Sequence, residues 1–170
     1  MIVLISGATH AGKTLLAQRL MERYKMPYYS IDHLKMGLIR SGQTSLTVDN
    51  DKELVPYLWK IVKEIIKTAI ENGQNLIVEG AYIPFDWQKD FGGEYLKDIK
   101  FFCLIMSEKY IENNFSAVTE LENIIERRRY AGEISKSELI KENARNLQLC
   151  KKYKLDYVFI DKDYQINIEL

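Results

Sequence analysis

The segment Gly7-Ala8-Thr9-His10-Ala11-Gly12-Lys13-Thr14 directly follows the apolar run Ile2-Val3-Leu4-Ile5. It has two glycines separated by four residues and then Lys and Thr, which is the pattern of a phosphate-binding loop. The glycines let the backbone curl so that successive N–H groups point at phosphate oxygens. Lys13 is expected to reach the β- and γ-phosphates, and the Thr14 hydroxyl is expected to bind Mg²⁺. The segment is therefore predicted to bind a nucleoside triphosphate.

The sequence around this segment fits a strand-to-helix turn. Leu16, Leu20 and Tyr24 recur at four-residue intervals, as on one face of a helix, and the positive end of that helix would add to the attraction for phosphate. A glycine-rich turn without a ligand is the structural alternative. A dinucleotide-binding loop is disfavoured because the G-x-G-x-x-G spacing is absent. Only the backbone of His10 is implicated in binding.

Composition bounds the kind of protein. The 170 residues predict one domain, residues 1–170, with a single core. Lys plus Arg equals Asp plus Glu at 24 each, which argues against nucleic-acid and anionic-membrane partners. The apolar start is too short for a signal peptide, no apolar run reaches membrane-span length, and a cytoplasmic location is expected. Cys103 and Cys150 share no metal-ligand spacing and are expected to be buried free thiols.

Strand patterns alternate with helical patterns, which predicts an α/β fold with a parallel sheet. A helical pattern near residue 51 contains Pro56, so that helix is expected to start late or to kink. Ser135 and Glu138 form a capping-box pattern. The predicted strands are 2–5, 28–31, 76–78, 99–106 and 156–160, with a short edge strand possible in the tail after 161. The predicted helices are 13–24, 33–39, one between a start signal at 49–51 and a stop at 72–73, 107–129 and 135–153.

A phosphate loop after the first strand and an acidic residue ending the second resemble the P-loop kinases of the nucleoside monophosphate kinase and shikimate kinase group. The resemblance implies a three-layer fold with a five-stranded parallel sheet in the order 2-3-1-4-5 and a helical lid at about 107–135. Ligands would bind at the carboxyl ends of the strands. The implied cofactors are ATP and Mg²⁺.

Two acidic residues are candidates by this resemblance. Asp32 follows Lys13 by 19 residues, and in this group the acid either accepts the acceptor's proton or holds Mg²⁺ through water. The alternative is that Asp32 caps the next helix. Glu79 ends the third predicted strand, where it would meet the Mg²⁺ shell. The glycine-rich substrate loop of the group is missing after Glu79, which disfavours nucleoside monophosphates and shikimate as acceptors.

Basic and aromatic residues complete the predicted site. Arg40 would grip a phosphate or carboxylate of the acceptor, or lie on the surface. Tyr82 would line an acceptor pocket, or belong to the core like other aromatics. Arg127 and Arg128, in the run that ends at Arg129, would contact the transferring phosphoryl group from the lid. Cations near a helix C-terminus are also favoured for local reasons. Arg145 is a second candidate for the lid's role.

These residues predict an ATP- and Mg²⁺-dependent phosphotransferase that moves the γ-phosphate to a hydroxyl or phosphate of a small metabolite or nucleotide. Its partners would be ATP and the small-molecule acceptor. One alternative is a nucleotide-binding switch that hydrolyses slowly and acts on a protein partner. Another is a kinase of nucleotide sugars that resembles the zeta toxins. A kinase should turn over little ATP until its acceptor is added, whereas a switch should hydrolyse or hold nucleotide regardless.

Overall fold

A five-stranded sheet forms the centre of the protein. The structure is a computed structural model that describes residues 1–120 and 134–170. The strands run in the order β2-β3-β1-β4-β5, and every neighbouring pair is parallel. This order confirms the predicted fold class. The strands are β1 (Ile2–Gly7), β2 (Tyr28–Ser30), β3 (Leu76–Glu79), β4 (Ile99–Met106) and β5 (Tyr157–Ile160).

Helices cover both faces of the sheet. All six residues of β1 are buried, as expected for the central strand of a parallel sheet that is covered on both sides. The core on one face includes Leu58 and Ile66 of α3, and the core on the other includes Leu16 and Leu20 of α1. The helices are α1 (Lys13–Tyr24), α2 (Ile31–Arg40), α3 (Asp51–Glu71), α4 (Gly93–Leu96), α5 (Glu108–Glu120) and α6 (Lys136–Tyr153). A short 3₁₀ helix, Trp87–Asp90, precedes α4.

The structure decides where two of the predicted helices start. Helix α2 begins at Ile31, two residues earlier than expected, so Ser30 is its N-cap and Asp32 lies in its first turn. The alternative role of Asp32 as the cap is therefore wrong. Helix α3 begins at Asp51 and includes Pro56 in its second turn, so of the two alternatives, a late start or a kink, the late start is wrong. The missing Pro56 N–H leaves the Lys52 carbonyl without its helical donor, and because Lys52 is exposed, water can take that place.

The helices after β4 agree with the prediction where they are described. Helix α5 runs to Glu120, with a non-helical backbone at Asn114. Residues 121–129 of the predicted helix and 121–133 of the predicted lid lie outside the described residues. Helix α6 confirms the predicted capping box, because Ser135 accepts from the Glu138 N–H and Glu138 accepts from the Ser135 N–H.

The C-terminal tail does not form the predicted edge strand, and β5 remains the edge of the sheet. The tail instead packs on the α1 side of the molecule. The Leu170 N–H donates to the Tyr24 hydroxyl at 3.2 Å, and Arg23 pairs with Glu169 at 3.3 Å. An extended segment that buries alternate residues has the same two-residue period as a strand, which explains the wrong prediction. The tail residues that contact the core on this face are Tyr164, Ile166, Ile168 and Leu170.

Two further predictions concern the whole chain. Cys103 and Cys150 are buried free thiols, as predicted. None of the helices in 1–120 and 134–170 combines the length and apolar character that a membrane span requires.

Candidate active site

The phosphate loop connects β1 to α1 through a backbone that needs its glycines. Gly7 has φ +148°, and a Cβ there would lie 2.7 Å from the Leu104 carbonyl oxygen. Gly12 has φ +80°, and a Cβ there would lie 1.7 Å from the Tyr164 hydroxyl. A side chain at either position would therefore meet both backbone strain and a direct clash.

The end of this loop is suited to an anion. Helix α1 begins at Lys13, and the N–H groups of its first turn have no acceptor within the helix. No acidic residue lies in that turn, so the positive end of the helix is not neutralised locally. The Lys13 ammonium donates to the carbonyl of Ala8 at 2.8 Å, within its own loop. The end of the loop thus combines a helix N-terminus with a nearby ammonium, two features that favour an anion.

The predicted metal ligands lie around the same edge of the sheet. Glu79 is buried at the carboxyl end of β3, in register with Ile5 of β1 and Ser30 of β2. Thr14 lies in the first turn of α1, and Asp32 lies in the first turn of α2. Mg²⁺ usually takes one or two carboxylates, substrate phosphates and several waters. A hydroxyl and two carboxylates near the end of a phosphate loop fit this requirement.

A chain of polar contacts links Asp32 to the neighbouring helix α3. The Lys35 ammonium pairs with the Asp32 carboxylate at 2.6 Å and donates to the Tyr82 hydroxyl at 2.9 Å. The Tyr82 hydroxyl donates to Asp51 at 3.0 Å. Lys35 also lies 4.7 Å from the centre of the Tyr82 ring. The four side chains therefore hold one another in place.

The surroundings of Lys35 and Tyr82 determine the protonation states of these two side chains. Burial acts to lower the pKa of Lys35, but the Asp32 charge and the hydrogen bonds to Asp32 and Tyr82 outweigh it and raise that pKa. Burial raises the pKa of Tyr82, and Lys35 offsets only part of this effect. At neutral pH Lys35 is therefore an ammonium and Tyr82 is an un-ionised phenol.

A cleft of about 730 Å³ adjoins the phosphate loop. Its walls are the start of α3, residues 81–86 after β3 and one face of α6, and Thr9 brings the loop itself to the cleft. Asp51, Lys52, Lys141 and Arg145 give the walls charges of both signs, and Tyr82 adds an aromatic surface. This volume lies in the usual range for a site that holds a small molecule.

Glu142 of α6 joins the loop to the cleft. The Thr9 N–H donates to both of its carboxylate oxygens, at 3.3 and 3.2 Å. Burial raises the pKa of Glu142, and the charge of Asp51 adds to this effect, while Lys13, the Thr9 N–H and Arg145 act in the opposite direction. Glu142 is thus a partly buried carboxylate at an N–H group of the phosphate loop.

Tyr164 supports the other side of the loop. Its hydroxyl donates to the carbonyl of Ala11 at 2.8 Å, and its contact with Gly12 leaves no room for a Cβ there. Burial raises the pKa of Tyr164 to about 12, so the hydroxyl keeps its proton over the physiological range. The tail therefore contributes directly to the shape of the phosphate loop.

The structure brings some of the predicted site residues together and not others. Tyr82 lines the cleft. Arg40 is exposed at the end of α2 and does not line it. Arg127 and Arg128 lie outside the described residues.

Sequence reasoning missed Asp51, Glu142 and Tyr164. For Glu142 a signal was present in the sequence, because four residues of α6, spaced by four, three and four positions, share one face of the helix in addition to the face that packs in the core. The four residues that line the cleft in this way are Glu142, Asn146, Leu149 and Tyr153.

No protein-family model matches the sequence, and neither does any curated protein. Among solved structures, a shikimate kinase from Bacteroides thetaiotaomicron aligns with 98% of this chain and 89% of its own, with a TM-score of 0.58 and 15% identity. The chain has the fold of a P-loop kinase. A gluconokinase from Sinorhizobium meliloti 1021 aligns with 96% of this chain and 83% of its own, with a TM-score of 0.51 and 13% identity. At these identities the likeness concerns the fold, and the acceptor must be argued from the cleft.

Proposed function

We propose that the protein is an ATP- and Mg²⁺-dependent kinase that transfers the γ-phosphoryl group to a small metabolite. The observation that carries this proposal is the position of Thr9. This residue belongs to the phosphate loop and also lines the cleft, so the loop and the cleft adjoin each other there. Phosphoryl transfer depends mainly on placing donor and acceptor in line and on offsetting charge. A loop suited to phosphate that opens into a cleft of small-molecule size supports both requirements.

Most of the predicted residues have a role in this proposal, and Arg40 has none. Lys13 and the loop N–H groups bind the phosphates, and Thr14, Asp32 and Glu79 hold Mg²⁺. The metal ion, when bound, supplies positive charge to the phosphate oxygens. Lys35 and Tyr82 keep Asp32 oriented through the contacts described above. Arg127 and Arg128 are proposed to offset the charge on the transferring group, by the resemblance to the kinase group.

The acceptor is proposed to be a small molecule. The cleft volume suits a metabolite, and the equal numbers of acidic and basic residues do not favour a polyanion such as a nucleic acid. Residues 81–86, which line the cleft, replace the glycine-rich substrate loop that the kinase group has there. This departure favours an acceptor other than a nucleoside monophosphate or shikimate.

The test is transfer of label from γ-labelled ATP to pooled nucleosides, monophosphates, sugars, hydroxy acids and aminoglycosides. Wild-type protein should label a product. Asp32→Asn should still bind ATP but lose about a hundredfold or more of the transfer, because an amide holds Mg²⁺ less well than a carboxylate and the charge on the transferring group is then less well offset. Asp49→Asn, an exposed neighbour before α3, is the matched control and should transfer normally. ATP binding with no labelled acceptor would contradict the kinase and favour the nucleotide-binding switch.

A further inference from the structure

Glu142 borders both the donor side and the acceptor side of the site. Its carboxylate accepts from the Thr9 N–H in the phosphate loop, and both residues line the cleft. Asp32, the carboxylate that the sequence nominates, is not among the described residues that line the cleft. Glu142 therefore contacts the phosphate loop and also lines the cleft in which an acceptor would bind.

The position of Glu142 is fixed by its buried neighbour. The Asn143 side chain is 1% exposed; its Oδ1 accepts from the Met106 N–H at 2.8 Å, and its Nδ2 donates to the Leu139 carbonyl at 2.8 Å. The bond from Met106 attaches α6 to the carboxyl end of β4, next to the phosphate loop, and the bond to Leu139 lies within α6. Because Glu142 is the adjacent residue, the helix delivers its carboxylate to the loop.

The surroundings of Glu142 also favour proton uptake. Burial raises its pKa, Asp51 adds to this, and Lys13, the Thr9 N–H and Arg145 only partly oppose it. A carboxylate whose pKa lies closer to neutrality takes a proton more readily at physiological pH.

Resting on the kinase function proposed above, we infer that Glu142 binds the reacting hydroxyl of the acceptor and takes its proton during transfer. The hydroxyl oxygen forms a bond to the γ-phosphorus while the bond from that phosphorus to the β–γ bridging oxygen breaks. ADP leaves with that electron pair. The hydroxyl proton passes to the Glu142 carboxylate and returns to solvent after the product leaves.

This role defines the class of acceptor. An ionised carboxylate only accepts hydrogen bonds, so its partner must donate one. An alcohol donates its O–H, whereas a fully ionised phosphate has no such proton to offer to the Glu142 carboxylate. The acceptor therefore reacts through an alcohol hydroxyl and not through a phosphate group.

The experiment compares wild type, Glu142→Gln, Glu142→Asp and the exposed control Glu112→Gln on the labelled acceptor pool. Glu142→Gln should lose about a hundredfold or more in turnover, because the amide cannot take the proton. It should bind ATP as tightly as wild type or more tightly, because a negative charge has left the loop. Glu142→Asp should keep a larger part of the activity than Glu142→Gln, and Glu112→Gln should match wild type.

Three results would overturn this inference. Turnover by Glu142→Gln within threefold of wild type would show that the carboxylate takes no part in transfer. Loss of ATP binding together with turnover would show that Glu142 only shapes the loop. Labelling of monophosphates at their phosphate group would contradict the alcohol acceptor while leaving the kinase function intact. By contrast, a wild-type protein that labels nothing would refute the proposed kinase and this role with it.

Discussion

Lys13 is the residue on which the predicted nucleotide site depends most directly. Its ammonium is held within the loop by the Ala8 carbonyl and lies at the start of α1. Lys13→Ala should therefore abolish the protection by ATP against thermal unfolding. At 100 times the Kd, a ligand adds about 2.7 kcal/mol, or roughly 5–10 °C for a chain of this size. Lys60→Ala, an exposed residue of α3, should keep the full shift, and an unchanged shift in Lys13→Ala would contradict the phosphate-loop assignment.

The raised pKa of Glu142 leads to a second prediction for a single residue, and this prediction can be tested without an acceptor. The pKa of Glu142 is higher in the folded protein than in the unfolded chain, so the protonated side chain favours folding. This contribution to the free energy of unfolding is fully present below the ordinary pKa of a carboxyl group. It is lost as the pH rises through the pKa that Glu142 has in the folded protein. Glu142→Gln should therefore gain stability over wild type as pH increases from about 4 towards 7. Urea unfolding at the two pH values measures this, with exposed Glu112→Gln as the control. A difference that does not change with pH would show that Glu142 is not perturbed in the folded protein.

At the scale of elements, the buried Asn143 side chain bonds α6 to the sheet at Met106. Asn143→Ala would leave the Met106 N–H buried without its acceptor, which should cost about 1–3 kcal/mol in the free energy of unfolding. Asn146→Ala is the matched control. Asn146 is also buried on α6, yet its side chain makes no hydrogen bond among the residues that the structure describes, so its loss should cost less. Denaturant unfolding of both variants measures the loss in the free energy of unfolding. Equal losses in Asn143→Ala and Asn146→Ala would show that the bond to Met106 contributes little.

The C-terminal tail gives a prediction for an element without regular structure. Tyr164→Phe keeps the ring against Gly12 but removes the bond to the Ala11 carbonyl, so it should cost about 1 kcal/mol and leave ATP affinity within threefold. Tyr164→Ala also removes the ring and should weaken ATP binding by more than threefold, because the loop loses its support. Calorimetric titration with ATP on the folded variants separates the two effects. Equal ATP affinity in both variants would show that the tail does not shape the loop.

The elements also show what the sequence could predict. The start of α1, the span of β4 and the capping box of α6 depend on local pattern, and all three are confirmed. The tail was mispredicted because a two-residue period does not say whether the partner is a strand or a helix. The cleft could not be predicted from the sequence, for a different reason. Asp51 and Glu142 are 91 positions apart in the sequence, and only the packing of α3 and α6 around residues 81–86 brings them to one site.

At the scale of the whole molecule, the sheet order decides where chemistry can occur. Because β1, β2 and β3 are parallel neighbours, their carboxyl ends bring the phosphate loop, Asp32 and Glu79 to one edge. The cleft adjoins this edge through Thr9, between the start of α3 and α6. A nucleotide in the loop and an acceptor in the cleft would therefore meet at a single place.

This arrangement predicts that ATP turnover depends on a filled cleft. Attack on the γ-phosphorus needs an oriented nucleophile, and a site that holds the acceptor gains its rate from that orientation. Phosphate release from ATP alone should therefore be at least about a hundredfold slower than transfer to the labelled acceptor. Parallel assays of inorganic phosphate and labelled product, with and without the acceptor pool, measure this ratio. Steady ATP hydrolysis at the same rate with and without the acceptor pool would mean that water reaches the loop as easily as an acceptor does. The protein would then be a nucleotide-hydrolysing switch, and the cleft would need a role other than holding the acceptor.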